Sequence, residues 1–258
     1  MNATTATPKK VTINRWLPYW AVFQQDVHQT LRSWVYRFWV LVSSLALIGY
    51  LVYRVGIYKE AGIQQSASQM ISDLLHWIVY GSVALIVVLC VGSISAERGT
   101  MADSVLSRGI SRYQYFLGKW HSRLFTIVGT YFVIGTAALV CCLVMLHEDL
   151  TVSGSVMALL TVGAVLTVIV TCGVTVSGMV NSTVLGVAIL WVLVYGGGLA
   201  LSLLPPQFPS PDRAMQSLPN ILQGNFQLTA LAHLIGWSGV ASVVVALFGL
   251  NHFARRDV

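Results

Sequence analysis

Six stretches of this chain run apolar for about twenty residues each, the length a helix needs to cross the hydrocarbon of a bilayer. They cover Phe38–Val55, Leu74–Ile94, Leu124–Met145, Ser155–Val180, Val184–Leu204 and Thr229–Leu250. Ahead of the first, the pattern changes from continuous to periodic. Trp16, Trp20, Phe23, Val27, Leu31 and Trp34 recur at steps of three and four, one stripe of an α-helix. Gln25, Asp26, His28, Gln29 and Arg32 fall mostly off that stripe. The spacing predicts an amphipathic helix over 13–36, lying flat in the headgroup region beside the first span. The other reading packs it on the protein's own inner face. Pro18 fits such a helix only in its first turn. Residues 1–12 are polar, with no short apolar core and cleavage site after them, and are expected to form a disordered tail rather than a secretory signal.

Polar residues gather in one elaborate segment, 95–119, between the second and third spans. Thr100-x-x-Asp103 resembles a capping box and predicts a short helix, with Asp103 near its positive end and Arg108 near its negative end. Met101 and Val105 share a face, joined by Ala102 and Leu106, and Gly109 ends the helix. Ser111-x-x-Gln114 is a full capping box and predicts a second helix that runs into the third span. The other connections are sparse. Gly56–Ser72 reads as a short polar loop, and His147-Glu148-Asp149 as an acidic turn. The segment 205–228 is rich in proline yet carries Met215, Leu218, Ile221 and Leu222, which predicts re-entrant or surface-lying helices.

Composition agrees with the span pattern. Of 258 residues, 56% are hydrophobic and 9% charged, against about 25% charged in a soluble domain. Mean hydropathy is +0.74. The net charge of +6 does not point to nucleic acid, because the charges flank apolar runs and form no basic stripe. They do set an orientation. Lys9, Lys10, Arg15, Arg32, Arg37, Arg98, Arg108, Arg112, Lys119, Arg123, Arg255 and Arg256 fall on one side, and only Arg54, Lys59 and Arg213 on the other. The expected fold is therefore an all-α integral membrane protein with six transmembrane helices, an N-terminal amphipathic interfacial helix and both termini cytoplasmic. Residues 13–258 form one membrane domain.

Several chemistries lack their residues. The only Gly-Lys pair, Gly118-Lys119, is followed by Trp120 where a P-loop needs Ser or Thr, and Tyr113 stands in place of its first glycine. His147-Glu148 is not completed to H-E-x-x-H, since Thr151 holds the second histidine position. Spans two to six carry no acidic or basic residue well inside the apolar core, so ion-coupled transport has little to work with. Cys90, Cys141, Cys142 and Cys172 lie in apolar runs and read as packing residues. Asp73 and His76 are one turn apart but make an incomplete metal site. Gly196-Gly197-Gly198 permits close packing or bending of the fifth span, or lines a pore. Gly236-Trp237-Ser238-Gly239 matches the short G-x-S-G pattern of intramembrane serine proteases, but no base from another helix is evident, and close packing is the simpler reading. No catalytic, cofactor-binding or metal-binding residue is expected.

Glu97-Arg98-Gly99-Thr100, then Ser107-Arg108-Gly109-Ile110-Ser111-Arg112 and Tyr115-Phe116-Leu117-Gly118-Lys119, resembles the first cytoplasmic loop of type-2 ATP-binding-cassette (ABC) transporter permeases. Gly109 stands where that family usually has proline, and the ending Phe253-Ala254-Arg255-Arg256-Asp257-Val258 is also similar to the family's. The resemblance implies a permease subunit in a bacterial-type inner membrane, paired with a second permease subunit and a cytoplasmic ABC ATPase dimer that holds ATP and Mg. It implies that Glu97, Arg98, Gly99, Thr100, Met101, Asp103, Val105, Leu106 and Arg108 form the ATPase-coupling loop. It also implies that the Trp16–Trp34 stripe belongs to the family's connecting helix. Export and flipping are both within the family's range. The alternative is a non-transporting membrane anchor that couples an ATPase to an extracytoplasmic machine for motility or metalloenzyme maturation.

Overall fold

The computed structural model describes residues 16–61, 66–95, 110–146, 149–203, 205 and 210–255. Among these the chain is almost wholly helical, with no strand. In order the helices are α1 (Leu17–Arg32), α2 (Trp34–Ala61), α3 (Ala67–Ser95), α4 (Arg112–Leu146), α5 (Val152–Met179), α6 (Thr183–Trp191), α7 (Gly197–Ser202), α8 (Pro211–Gln216), α9 (Leu218–Leu222) and α10 (Leu228–Arg255). A π-helical turn, Val192–Gly196, joins α6 to α7, so that Thr183–Ser202 is a single apolar stretch. Five stretches among the described residues are long and apolar enough to cross a membrane: Trp34–Arg54, Arg112–Val144, Val152–Met179, Thr183–Ser202 and Leu228–Arg255. The protein is membrane-integral and all-α. Helix α3 has 29 residues, and its second half, Val83–Ser95, is apolar as well.

The helices overrun the apolar stretches that mark them. The expected Gly56–Ser72 loop is mostly helix, because α2 continues to Ala61 and α3 begins at Ala67. Lys59, Glu60 and Ala61 are good helix formers, and Gly56 alone does not stop a helix that already has its hydrogen-bond ladder. Helix α4 starts at Arg112, well before Leu124, and α10 runs on to Arg255. The stretch 13–36 is divided. Ser33 is extended (φ −64°, ψ 140°), ends α1 by donating its amide to Thr30 O at 3.0 Å, and accepts the Tyr36 amide at 3.2 Å as α2 begins. Pro18 sits in the first turn of α1.

Helix α5 is the centre. It is apolar all round and carries no charge, as suits a helix enclosed by others within a bilayer, and only its first turns, at Val152, Val156 and Leu160, are exposed. Ala158, Val162, Leu166, Val170 and Val174 are all fully buried, and α3, α4, α6, α9 and α10 pack around it. Lipid tails are as apolar as leucine, so these helices associate through close packing and internal hydrogen bonds rather than the hydrophobic effect. Glycine makes the approach possible. A Cβ on Gly173 would lie 2.4 Å from Cys90 Cβ of α3, and one on Gly186 of α6 2.6 Å from a Val91 methyl. At the far end of α5, a Cβ on Gly154 would lie 2.1 Å from the Ile221 carbonyl oxygen.

That far end is closed by α8 and α9. Met215, Leu218, Ile221 and Leu222 are buried against the bundle, so the apolar residues of the proline-rich segment face inward. Thr151 caps α5 with its side-chain oxygen, which accepts the Gly154 amide, while its backbone amide donates to Leu222 O at 3.0 Å. Gly224 turns the chain away with φ +88°, a conformation that favours glycine. Outward faces are apolar: Leu41, Leu45, Ile48 and Val52 on α2, Val184, Val192 and Leu199 along Thr183–Ser202, and Val240, Val244 and Leu247 on α10.

Gly173→Ala is expected to lower the stability of the detergent-purified protein by about 1–3 kcal/mol, the usual cost of overpacking a tight interface. Thermal unfolding followed by intrinsic fluorescence checks this. Gly197→Ala, where an added Cβ meets nothing within 4 Å, is the control and should leave the unfolding temperature unchanged.

Candidate functional site at the loop end of the bundle

The candidate coupling residues Glu97, Arg98, Gly99, Thr100, Met101, Asp103, Val105, Leu106 and Arg108 lie outside the described residues, as do the tail 1–12 and Arg256–Val258. What the structure does describe are the two roots from which that segment hangs, Ser95 at the end of α3 and Ile110–Arg112 at the start of α4. The end of α5, the start of α6, the end of α10 and the whole of α1 lie at this same end.

The α4 root opens on the reciprocal cap read in the sequence. The Ser111 amide donates to Gln114 Oε1 at 3.2 Å, and the Gln114 amide donates to Ser111 Oγ at 3.2 Å. These bonds satisfy amides that a helix start leaves without intrahelical partners. Arg112 donates to the Ala254 carbonyl of α10 at 3.2 Å. One turn on, the Tyr115 ring stacks on Phe253 with centroids 6.1 Å apart, and Phe116 is fully buried beside it. Ile94, Tyr115, Phe116, Val174 and Phe253 thus form a small apolar cluster that ties α3, α4, α5 and α10 together just inside the roots.

Helix α1 is attached to α4 by charge, through its polar face. Asp26 is only 1% exposed. One of its carboxylate oxygens accepts Lys119 Nζ at 2.7 Å and Arg123 at 3.1 Å, and the other accepts the Ser122 hydroxyl. Lys119 and Arg123 are themselves buried. A charge leaves water only when it is paired and hydrogen-bonded. Gly118 lets the two helices approach, since a Cβ there would meet a Val22 methyl at 2.8 Å. Thr30 folds its hydroxyl onto Asp26 O at 2.7 Å. Tyr19 and His121 Nδ1 are 3.0 Å apart at the edge of this contact. Burial raises the Tyr19 phenol above its ordinary value, so it keeps its proton.

The aromatic stripe consequently faces away from the bundle. Trp16, Trp20, Leu31 and Trp34 are 64, 54, 42 and 75% exposed, with Phe23 and Val27 half-buried. Trp34 belongs to α2, beyond the Ser33 break. Helix α1 thus sets Val22, Asp26 and Thr30 against the bundle and leaves exposed both its aromatic stripe and the polar residues Gln25, His28, Gln29 and Arg32, an arrangement that suits a helix at a bilayer surface.

The α3 root is held by hydroxyls. Ser177 of α5 accepts the amides of Ile94 and Ser95 at 2.9 and 3.0 Å and donates to Val91 O. Ser95 donates its hydroxyl to Val91 O at 2.7 Å and lies 3.0 Å from the Thr183 hydroxyl of α6. Ser177 is fully buried.

Residues with other candidate roles fall elsewhere. Asp73, at the far end, accepts Tyr50 OH at 3.2 Å and lies 3.9 Å from Arg54, so a cation already faces it. Among the described residues no three His, Cys, Asp or Glu side chains come together as metal ligands. An added Cβ on Gly197, Gly198, Gly236 or Gly239 would meet nothing within 4 Å, so the close packing expected of them is not made among the described residues. Gly196 closes the π-helical turn. Ser238 is half-buried on α10, with His233 and His252 exposed on the same helix.

Sequence reasoning missed Asp26 and Ser177. The available signal for Asp26 was that it is the sole acidic residue of the amphipathic segment. Ser177 had none beyond its place next to Gly178 near the end of a span. No protein-family model matches the chain, and no curated protein matches it in sequence.

Asp26→Ala should strip the shared partner from Lys119 and Arg123 and destabilise the α1–α4 contact by about 3–5 kcal/mol, as for other buried pairs broken from one side. Ser122→Ala, which removes one hydrogen bond, should cost only about 1 kcal/mol. Limited proteolysis of α1 in detergent measures both, with rapid cleavage expected in Asp26→Ala alone.

Proposed function

We propose that this chain is the permease subunit of an ATP-driven exporter or flippase of the type-2 ABC kind, energised by a separate cytoplasmic ATPase. In this reading α3 is the sixth span beside the five apolar stretches, and both termini face the cytoplasm of a bacterial-type cell across its inner membrane. The loop 95–119 docks in a groove on the ATPase through its short helix at about Thr100 to Ser107. ATP and Mg bind the ATPase dimer, and a second permease subunit, identical or not, completes the pathway. The outward apolar faces of α2, α6 and α10 meet lipid or that second subunit.

The observation that carries the reading is the construction of the two roots. The segment resembling a coupling loop leaves α3 at a hydroxyl cluster joined to α5 and α6, and returns at a capped helix joined to α1 and α10. A passive connector needs no such attachment. A connector that receives a push from a partner does, since force applied to a loop moves the bundle only if its ends are fixed to several helices. The missing P-loop and the scarcity of charge in the spans favour an energy source on another chain. The same scarcity favours an apolar or amphipathic substrate.

Purification from the native membrane in mild detergent tests this. A soluble ATPase bearing a P-loop is expected in stoichiometric amount. Replacing both Glu97 and Arg98 with alanine should abolish stimulation of that ATPase by the permease while leaving the chain inserted. Recovery of the chain alone under several gentle conditions overturns the reading. An ATPase that co-purifies and drives no movement of lipid or solute across reconstituted vesicles points to the anchor instead.

A further inference from the structure

We propose that Ser177 is a positioning residue, whose hydroxyl makes the last turn of α3, the last turn of α5 and the first turn of α6 one moving joint. Displacement of segment 96–109 at its α3 root then passes directly into the central helix. The inference rests on the permease reading and names the residue through which its force is transmitted.

Three observations lead there. The first is reach. A serine side chain is short, and it bridges to the backbone of a neighbouring helix only where the two backbones nearly touch. Gly173 of α5 and Gly186 of α6 bring that about from two sides, one against Cys90 and the other against Val91, both in the last two turns of α3. The second is the kind of bond. Ser177 does not meet a side chain that could rotate away; it accepts two backbone amides and donates to a backbone carbonyl, so it grips the α3 helix itself. The third is the absence of competition. Ser177 is 0% exposed and Ser95 8%, so water does not compete for the bonds these hydroxyls make. Ser95 extends the grip to Thr183, on the helix that follows α5 after a break at Val180–Ser182.

A joint of this kind differs from packing in what it resists. Apolar side chains slide past one another at little cost, because each contact is weak and non-directional. Hydrogen bonds to a helix backbone are directional and are lost within a fraction of an ångström. When the α3 root is pulled, the apolar seam permits shear and the Ser177 bonds oppose it. Helix α5 packs against α3, α4, α6, α8, α9 and α10, so whatever moves it reaches most of the bundle.

Hydrogen exchange on the full-length protein in lipid nanodiscs tests the joint, first with no nucleotide. In Ser177→Ala the amides of Ile94 and Ser95 should exchange about fivefold to tenfold faster, the effect of one lost hydrogen-bonding partner, and amides at the start of α6 should quicken with them. Thr183→Val should quicken α6 and leave the Ser177 grip on α3 intact. Unchanged exchange at Ile94 and Ser95 in Ser177→Ala overturns the joint, as does a rise confined to α3. The second arm adds the co-purifying ATPase and ATP. In the wild type, nucleotide should alter exchange in both segment 96–109 and the last turns of α5; in Ser177→Ala the first change should persist and the second disappear. Undiminished passage into α5 overturns the transmitting role. A wild-type complex without any nucleotide response overturns the permease reading, and the joint then stands or falls by the first arm.

Discussion

A polar group with no water beside it must find its partner within the protein, and each failure in a bilayer core costs several kcal/mol. In a chain with so few polar side chains in its spans, the ones that bond between helices fix particular neighbours, although Trp39 Nε1, Ser93 Oγ, Tyr131 OH and Ser155 Oγ are buried with no hydrogen-bond partner among the described residues. Asp26 has one place where two cations and a hydroxyl converge, on α4, and that fixes α1. Ser177 has one place where two amides converge, at the end of α3, and that fixes the approach of α3 to α5. Thr151 does the same at the opposite end by reaching Leu222 O. Apolar packing fills in the rest, with glycine wherever these bonds demand a close approach.

The threonines follow the same constraint in a different way. Thr161, Thr167 and Thr171 of α5 each return a hydroxyl to the carbonyl one turn earlier, and Thr126 and Thr130 of α4 do likewise. These bonds satisfy the hydroxyl locally and connect nothing. Where a connection is made, the partner lies on another helix: Trp120 to Thr171, Tyr36 to Thr130, Thr175 to the Val245 carbonyl. Polar links between helices are therefore far fewer than polar residues. They cluster towards the ends of the bundle, where the middle is held by shape alone.

The membrane character, the helix start at Ser111 and the presence of helices in the proline-rich segment were legible in the sequence, each for a local reason. Continuous apolarity needs only a window of twenty residues. The Ser111–Gln114 cap is a three-residue relation, and Met215, Leu218, Ile221 and Leu222 form a stripe. The orientation of α1 was only half legible. Periodicity finds a stripe, but it does not say which face of the helix meets the rest of the protein, and that came from Asp26 and its distant partners on α4. The helical extension of α2 beyond Gly56 and the break at Ser33 were hidden because hydropathy marks the edge of the bilayer, not the edge of the helix. Ser177 was hidden for a stronger reason: its role depends on the backbone of α3, which no side-chain pattern records.

The arrangement of the two roots bears on how such a bundle could move. At the α4 root the attachment is ionic and aromatic, to α1 and α10, and at the α3 root it is by hydroxyls, to α5 and α6. Both attachments include directional hydrogen bonds, since the Asp26 carboxylate accepts from Lys119, Arg123 and the Ser122 hydroxyl just as Ser177 accepts the Ile94 and Ser95 amides. The α3 root leads to α5, the most enclosed helix, and the α4 root to α1 and α10. The two ends of one segment are therefore joined to different helices, and in the permease reading proposed above a displacement of that segment is shared between them.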